Sequence, residues 1–82
     1  MQMSTQSLIF VTGADCHLCE HGREVLAALE IEAREIDVDG DEASAFAARG
    51  IPLAFLPVLT DGERLIAYGR LSAKRLTRDL GL

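Results

Sequence analysis

The chain has two cysteines, Cys16 and Cys19, and they stand three residues apart. No crosslink between distant segments is available, so its 82 residues have to hold their fold with a hydrophobic core. By the surface scaling of small proteins, a chain of this length buries only about 60% of the surface its unfolded state exposes. The pair lies in Cys16-His17-Leu18-Cys19, directly after the apolar run Leu8-Ile9-Phe10-Val11 and directly before a helix-like stretch ending near Leu29. Sulfurs gathered at a strand-to-helix junction point to thiol chemistry more than to a structural staple.

With 49% apolar and 26% charged residues, the composition is that of a globular chain. We expect one domain over residues 1–82, with residues 1–6 as a disordered tail, and a monomer. A net charge of −5, from 13 acidic against 8 basic side chains, argues against a nucleic-acid partner, whose phosphates call for clustered Lys and Arg. Only Arg70, Lys74, Arg75 and Arg78 cluster, with Asp79 after them. They read as the solvated face of a terminal helix before they read as a patch for an anion or acidic partner.

Residues Met1 to Ser7 contain neither a basic residue nor an apolar stretch of signal-peptide length. The longest apolar run, Ile51 to Leu59, is interrupted by Pro52 and Pro57 and is far shorter than a membrane span. These features predict a cytoplasmic protein with no membrane partner. In a reducing cytosol, a lone cysteine pair is catalytic or metal-binding more often than it is a permanent crosslink.

Periodicity predicts a strand at Leu8 to Thr12 and a turn at Gly13-Ala14-Asp15, with Asp15 placed to cap the next helix. From Cys16 an amphipathic helix of about four turns buries Leu18, Val25, Leu26 and Leu29 and exposes Glu20, Arg23, Glu24 and Glu30. Ala33 to Asp39 alternates as a half-buried strand, with Ile36 and Val38 inward. Asp41 to Arg49 predicts a short helix carrying Ala43, Phe46 and Ala47 inward and closed by Gly50. Val58 to Thr60 and Leu65 to Tyr68 form antiparallel strands around Asp61-Gly62, a tight-turn signal in which both central residues take positive φ. Ser72 then caps a helix with Ala73, Leu76, Thr77 and Leu80 on one stripe, and Gly81 ends it. The order is β-α-β-α-β-β-α, in the α/β class. Because a lone hairpin is at best marginal, its strands join the first two in a four-stranded mixed sheet flanked by three helices.

Cysteines three apart on a helix have Cα atoms about 5 to 5.5 Å apart, inside the disulfide window. Cys16 at the first helical position would have its thiolate stabilised by unpaired N–H groups and the helix dipole. Thiol pKa values in such places fall to about 3.5–7.5 from about 8.5. Cys16 is the expected nucleophile, and Cys19, one turn deeper, the resolving thiol. His17 between them could tune the thiolate or merely begin the helix, and His21 reads as a solvated residue before a second basic group. Pro57 starts a strand, where its missing N–H is tolerated. The residues alone favour a trans Leu56-Pro57 bond; a cis bond would turn the chain tightly and let Leu56 offer its backbone to an extended substrate.

Taken together, these pieces resemble the glutaredoxin branch of the thioredoxin-like superfamily, and within it the small bacterial glutaredoxin-like proteins of uncharacterised function. The resemblance spans Leu8 to Leu80 and rests on three stretches: Cys16-His17-Leu18-Cys19-Glu20, Ile36-Asp37-Val38-Asp39, and Pro57-Val58-Leu59-Thr60-Asp61-Gly62-Glu63 leading to Tyr68-Gly69. It implies a thioredoxin fold, Cys16 as nucleophile, Cys19 as resolving cysteine and Pro57 as a cis-proline beside them. Leu56, Tyr68 and Gly69 are the candidate substrate-binding residues, and the resemblance implies roles in cell redox homeostasis and electron transport. The substrate would be a protein or small-molecule disulfide. The reductant would be a cellular thiol system, thioredoxin reductase-like or glutathione.

Two departures bear on that implication. The family commonly carries Pro-Tyr between its cysteines, where His17-Leu18 stands here. Its Gly-Gly followed by an acidic residue, which helps hold glutathione, is met by Tyr68-Gly69-Arg70-Leu71. Without those glycines the glutathione backbone site is crowded, and without the acidic residue the tripeptide's amino group loses a partner. No cofactor is required, and the second departure counts against glutathione. Tyr68, alternating with Ile66, reads as a packing residue before a groove residue.

The leading function is thiol-disulfide oxidoreductase. A metal- or cluster-binding module is the first competitor, since Cys16, His17, Cys19 and His21 offer four ligands in six residues. Small copper chaperones open their first helix with Cys-x-x-Cys but follow it with a hairpin, where Asp41 to Gly50 reads as a helix. A closed zinc site lacks its second ligand pair, which leaves metal shared between two protomers. The remaining competitor is a thioredoxin-like adaptor domain without redox activity.

Overall fold

Ile9–Thr12 forms β1, a run of apolar and β-branched residues all of which are buried, as befits a central strand. The computed structural model describes residues 8–82, so the expected tail over residues 1–6 lies outside the described residues. After β1 come α1 (His17–Ala28), β2 (Arg34–Asp37), α2 (Asp41–Ala48), β3 (Val58–Thr60), β4 (Leu65–Tyr68) and α3 (Ala73–Leu80). The strands make one mixed sheet in the order β2-β1-β3-β4, with β1 parallel to β2 and the other pairs antiparallel. The α/β class, element order and sheet are those expected from the sequence.

Alternation along β1 sends its residues into two cores. Ile9 and Val11 join Ala43, Phe46, Ile51 and Val58 beneath α2. Phe10 points the other way and meets Leu26 of α1, Leu59, Leu71 and Leu76 of α3. Helices therefore cover both sheet faces. Gly22 sets how closely α1 approaches: a Cβ there would stand 2.8 Å from Phe10 Cζ and 3.3 Å from Leu71 Cδ1. At the outer edge of the sheet, β2 is tied to α1 and α2 by ion pairs, Arg23 with Glu35 and Arg34 with Glu42.

Several local expectations are corrected. The first helix spans 12 residues and starts at His17, with Cys16 as its N-cap. Asp15 takes the left-handed conformation at φ 53°, which turns the chain and delivers Cys16 in extended geometry to the cap. Leu18 is exposed, because the inward stripe of α1 is occupied by Cys19, Gly22 and Leu26. Ala47 is likewise exposed, Ala43 and Phe46 alone facing inward on α2.

The β3–β4 turn is a four-residue loop, Asp61 to Arg64, with a register shift at Leu59/Thr60. Only Gly62 in it takes positive φ. Asp61 has no need to, since its Oδ1 accepts the amides of Glu63 and Arg64 at 2.9 and 2.8 Å and closes the loop from its side chain. At the C-terminal helix, Ser72 caps α3 by accepting from the Arg75 amide at 3.2 Å, and Gly81 ends it at φ 70°.

Candidate functional site: a cysteine pair at one end of the sheet

The Cys16 and Cys19 sulfurs lie at disulfide distance, with Cα atoms 5.2 Å apart. Cys16 Sγ also accepts the Cys19 amide at 3.1 Å, doing at the N-cap what a Ser hydroxyl does elsewhere. The two cysteines meet solvent differently. Cys16 is partly exposed, whereas Cys19 is wholly buried. Around Cys16 stand the exposed residues Asp15, His17, Leu18 and Glu20, with His17 as the first residue of α1.

Strand register brings the remaining predicted site residues to the same end of the sheet. Val11 pairs with Val58, so Pro57 lies level with the end of β1, from which the loop to Cys16 departs. A Cβ at Gly13 would stand 2.8 Å from Leu56 Cδ1, so that loop passes close to Leu56 and a side chain at residue 13 would push that methyl aside. The Leu56-Pro57 bond is cis, not the trans form that the residues alone favour, and Pro57 is wholly buried. Val58 in turn pairs with Tyr68, and the Gly69 amide donates to the Pro57 carbonyl at 2.8 Å.

Tyr68 is 56% exposed, so it does not pack in the core as its alternation with Ile66 suggested. Its ring faces Phe55, with centroids 6.2 Å apart and planes tilted by 38°. Phe55 is 68% exposed, which its place in the apolar run Ile51 to Leu59 does not foretell. Two prolines in that run were the signal that its phase cannot be a simple strand's. Phe55, Tyr68 and Leu18 are three of the four large apolar side chains that stand out in solvent among the described residues.

His21 also departs from expectation: it is half-buried, and its Nδ1 is out of water without a hydrogen-bond partner. A position one turn beyond His17 carried no sequence signal for that, because burial there depends on what packs over α1. Among the described residues no group of three or more His, Cys, Asp or Glu is placed to hold a metal ion. The clearest electrostatic anchor flanks the site instead. Thr12 at the end of β1 donates to Glu35 Oε2 at 3.0 Å, and Arg23 of α1 grips the same carboxylate at 2.7 Å. Those bonds, Arg23 first, hold the Glu35 carboxyl below the usual carboxylate range.

These observations define an α/β protein with a Cys-x-x-Cys pair at a helix start, and no helix of the described residues is long and apolar enough to cross a membrane. Neither a protein-family model nor a curated protein matches the chain.

Proposed function

We propose that this protein is a thiol-disulfide oxidoreductase with a thioredoxin-like fold of the glutaredoxin type. The observation that carries the reading is the asymmetry of the pair: a partly exposed cysteine at a helix N-cap and a wholly buried one a turn away, their sulfurs close enough to bond. The end-on helix dipole and the Cys19 amide both favour negative charge on Cys16 Sγ.

In the reduced protein, the Cys16 thiolate attacks one sulfur of a substrate disulfide. A mixed disulfide forms, and the other substrate sulfur leaves as a thiolate. Cys19, once deprotonated, attacks Cys16 Sγ, forms the Cys16–Cys19 disulfide and releases the second substrate thiolate. Two electrons pass from protein to substrate, and a cellular dithiol or two monothiols restore the pair. His17, exposed beside Cys16, supplies a positive charge when protonated and so favours the reduced thiolate. Leu56, Tyr68 and Gly69, with Phe55, would line the approach of a protein or small-molecule disulfide. The departure at Tyr68-Gly69-Arg70 favours a partner other than glutathione.

The test is the alkylation rate of each cysteine against pH, with intact mass before and after mild oxidation. The expected result is a Cys16 that titrates well below about 8.5 and a protein that loses two hydrogens on oxidation. A Cys16 that titrates as a free thiol, or a mass that oxidation leaves unchanged, overturns the reading.

A further inference from the structure

Half of the eight basic side chains lie in Arg70, Lys74, Arg75 and Arg78. The other four are engaged: Arg23 with Glu35, Arg34 with Glu42, Arg64 with Asp61, and Arg49 with the Gly62 carbonyl while lying over the Phe46 ring. Among the described residues Arg70, Lys74 and Arg75 form no ion pair, and Arg78 reaches only its neighbour Asp79, at 3.4 Å. Among the described residues a chain of net charge −5 therefore keeps its unpaired cations, Arg70, Lys74 and Arg75, close together, and Arg70 and Arg75 share one face with Arg78.

That face is concave. Arg70, Arg75 and Arg78, with the Asp79 carboxylate beside Arg78, stand along a groove of about 520 Å³ that Ile66, Ala67 and Tyr68 of β4 also line. Among the described residues β4 is also the edge of the sheet, paired with β3 alone. Gly69 donates to Pro57, and antiparallel pairing alternates along the strands, so the amide and carbonyl of Tyr68 point away from β3 towards the open edge. Arg75 and Arg78 lie one helical turn apart, about 4.5 Å along the axis. Acidic side chains at alternate positions of an extended segment are about 6.6 Å apart, near enough for long arginines to span.

We propose that the β4–α3 groove binds an extended acidic polypeptide segment, which adds to the sheet beside β4 and sets its carboxylates against Arg70, Arg75 and Arg78. Backbone pairing to the open edge supplies the affinity and the arginines supply the selection for charge. A nucleic acid fits less well, because the chain's overall negative charge repels a long polyanion outside this short groove. The binding does not use the cysteines, so it stands or falls separately from the redox reading.

The experiment is fluorescence anisotropy of the full chain with a labelled hexapeptide that alternates glutamate and valine. Saturable binding is expected, weakened about tenfold or more by Arg70→Glu with Arg75→Glu and by raised salt. The double Arg→Gln variant should give an intermediate loss. N-methylation of alternate peptide amides should also weaken binding, and a Cys16→Ser, Cys19→Ser chain should bind as the parent does. Circular dichroism melts of each variant keep loss of binding distinct from loss of fold. The proposal is overturned by any of four results: no saturable binding, equal binding of a lysine-for-glutamate peptide, displacement by inorganic phosphate as readily as by unlabelled peptide, or tighter binding of a short RNA.

Discussion

The two ends of the β1–β3 pair are finished in opposite ways. At the hairpin end the polar groups are satisfied by near neighbours. The buried Thr60 hydroxyl donates to the Arg64 carbonyl at 2.6 Å and accepts the Gly62 amide at 2.9 Å, while Asp61 takes two further amides and Arg49 closes on the Gly62 carbonyl. At the cysteine end Leu18, Phe55 and Tyr68 stand in solvent, Asp15 holds a left-handed backbone and His21 Nδ1 has no partner. One end is built to stay closed. The other leaves apolar surface and a partly exposed cysteine beside the sheet, the usual arrangement of loops that meet a partner.

The contrast predicts that changes at the cysteine end alter exchange and changes at the hairpin end alter stability. The largest effect is expected for Cys16→Ser. Exchange with a model disulfide should fall to the uncatalysed background, while stability stays within about 0.5 kcal/mol of the reduced parent, since serine is itself a good N-cap. Stopped-flow rates and thermal melts of the reduced proteins read both quantities. Equal losses in the two would erase the distinction between the ends.

Thr60→Val comes next. It strips a fully buried hydroxyl of two bonds and leaves the Gly62 amide without its acceptor. The cost should be about 1–3 kcal/mol, and each kcal/mol should lower the melting temperature by about 4–8 °C with exchange unchanged. Gly22→Ala should cost about 1 kcal/mol: overpacking against Phe10 outweighs the gain in helix propensity. Because α1 carries Cys19 and is capped by Cys16, this variant alone is expected to disturb stability and alkylation kinetics together.

The smallest effects are those of pH. The amides of Glu63 and Arg64 hold the Asp61 carboxyl below its ordinary range, and Arg23 does the same for Glu35. For both groups the unfolded chain takes up the proton first as pH falls. Their stabilisation is complete above the unfolded carboxylate values of about 4 and is lost as pH falls through the lower folded values. Denaturant melts between neutral and strongly acid pH should show this loss, and Asp61→Asn and Arg23→Ala should each flatten it. Salt should weaken the Glu35 share more, because that ion pair is about 40–46% exposed whereas Asp61 relies on adjacent amides. An acid limb that neither substitution changes would mean that these carboxylates do not distinguish the two ends.

Much of this was legible in local chemistry. The β-prone run at Ile9–Thr12, the alternation around Ile36, the Ser72 cap and the Gly81 stop all state short-range preferences that the fold obeys. So did the placement of Cys16 and Cys19 within one turn, since a helix dictates the distance between residues three apart. Where expectation and structure part, two local signals compete. Asp15 is the residue type that caps helices, yet its left-handed turn passes that place to Cys16, whose sulfur accepts the Cys19 amide. Asp61-Gly62 signals a two-residue turn, yet the Asp61 side chain and the shift at Leu59/Thr60 together favour a four-residue loop.

Element order, the helix-start cysteine pair and the basic run near the C-terminus are thus properties of the sequence, because each follows from residue type and spacing along the chain. Which residues share an end of the sheet is not. Leu56, Pro57 and Tyr68 reach the cysteine end through strand register, and Arg70, Arg75 and Arg78 acquire a groove only because β4 is the sheet's edge and α3 lies across it. Exposure of Phe55 and burial of His21 Nδ1 belong with these, since accessibility is set by what packs over a side chain and not by the side chain alone.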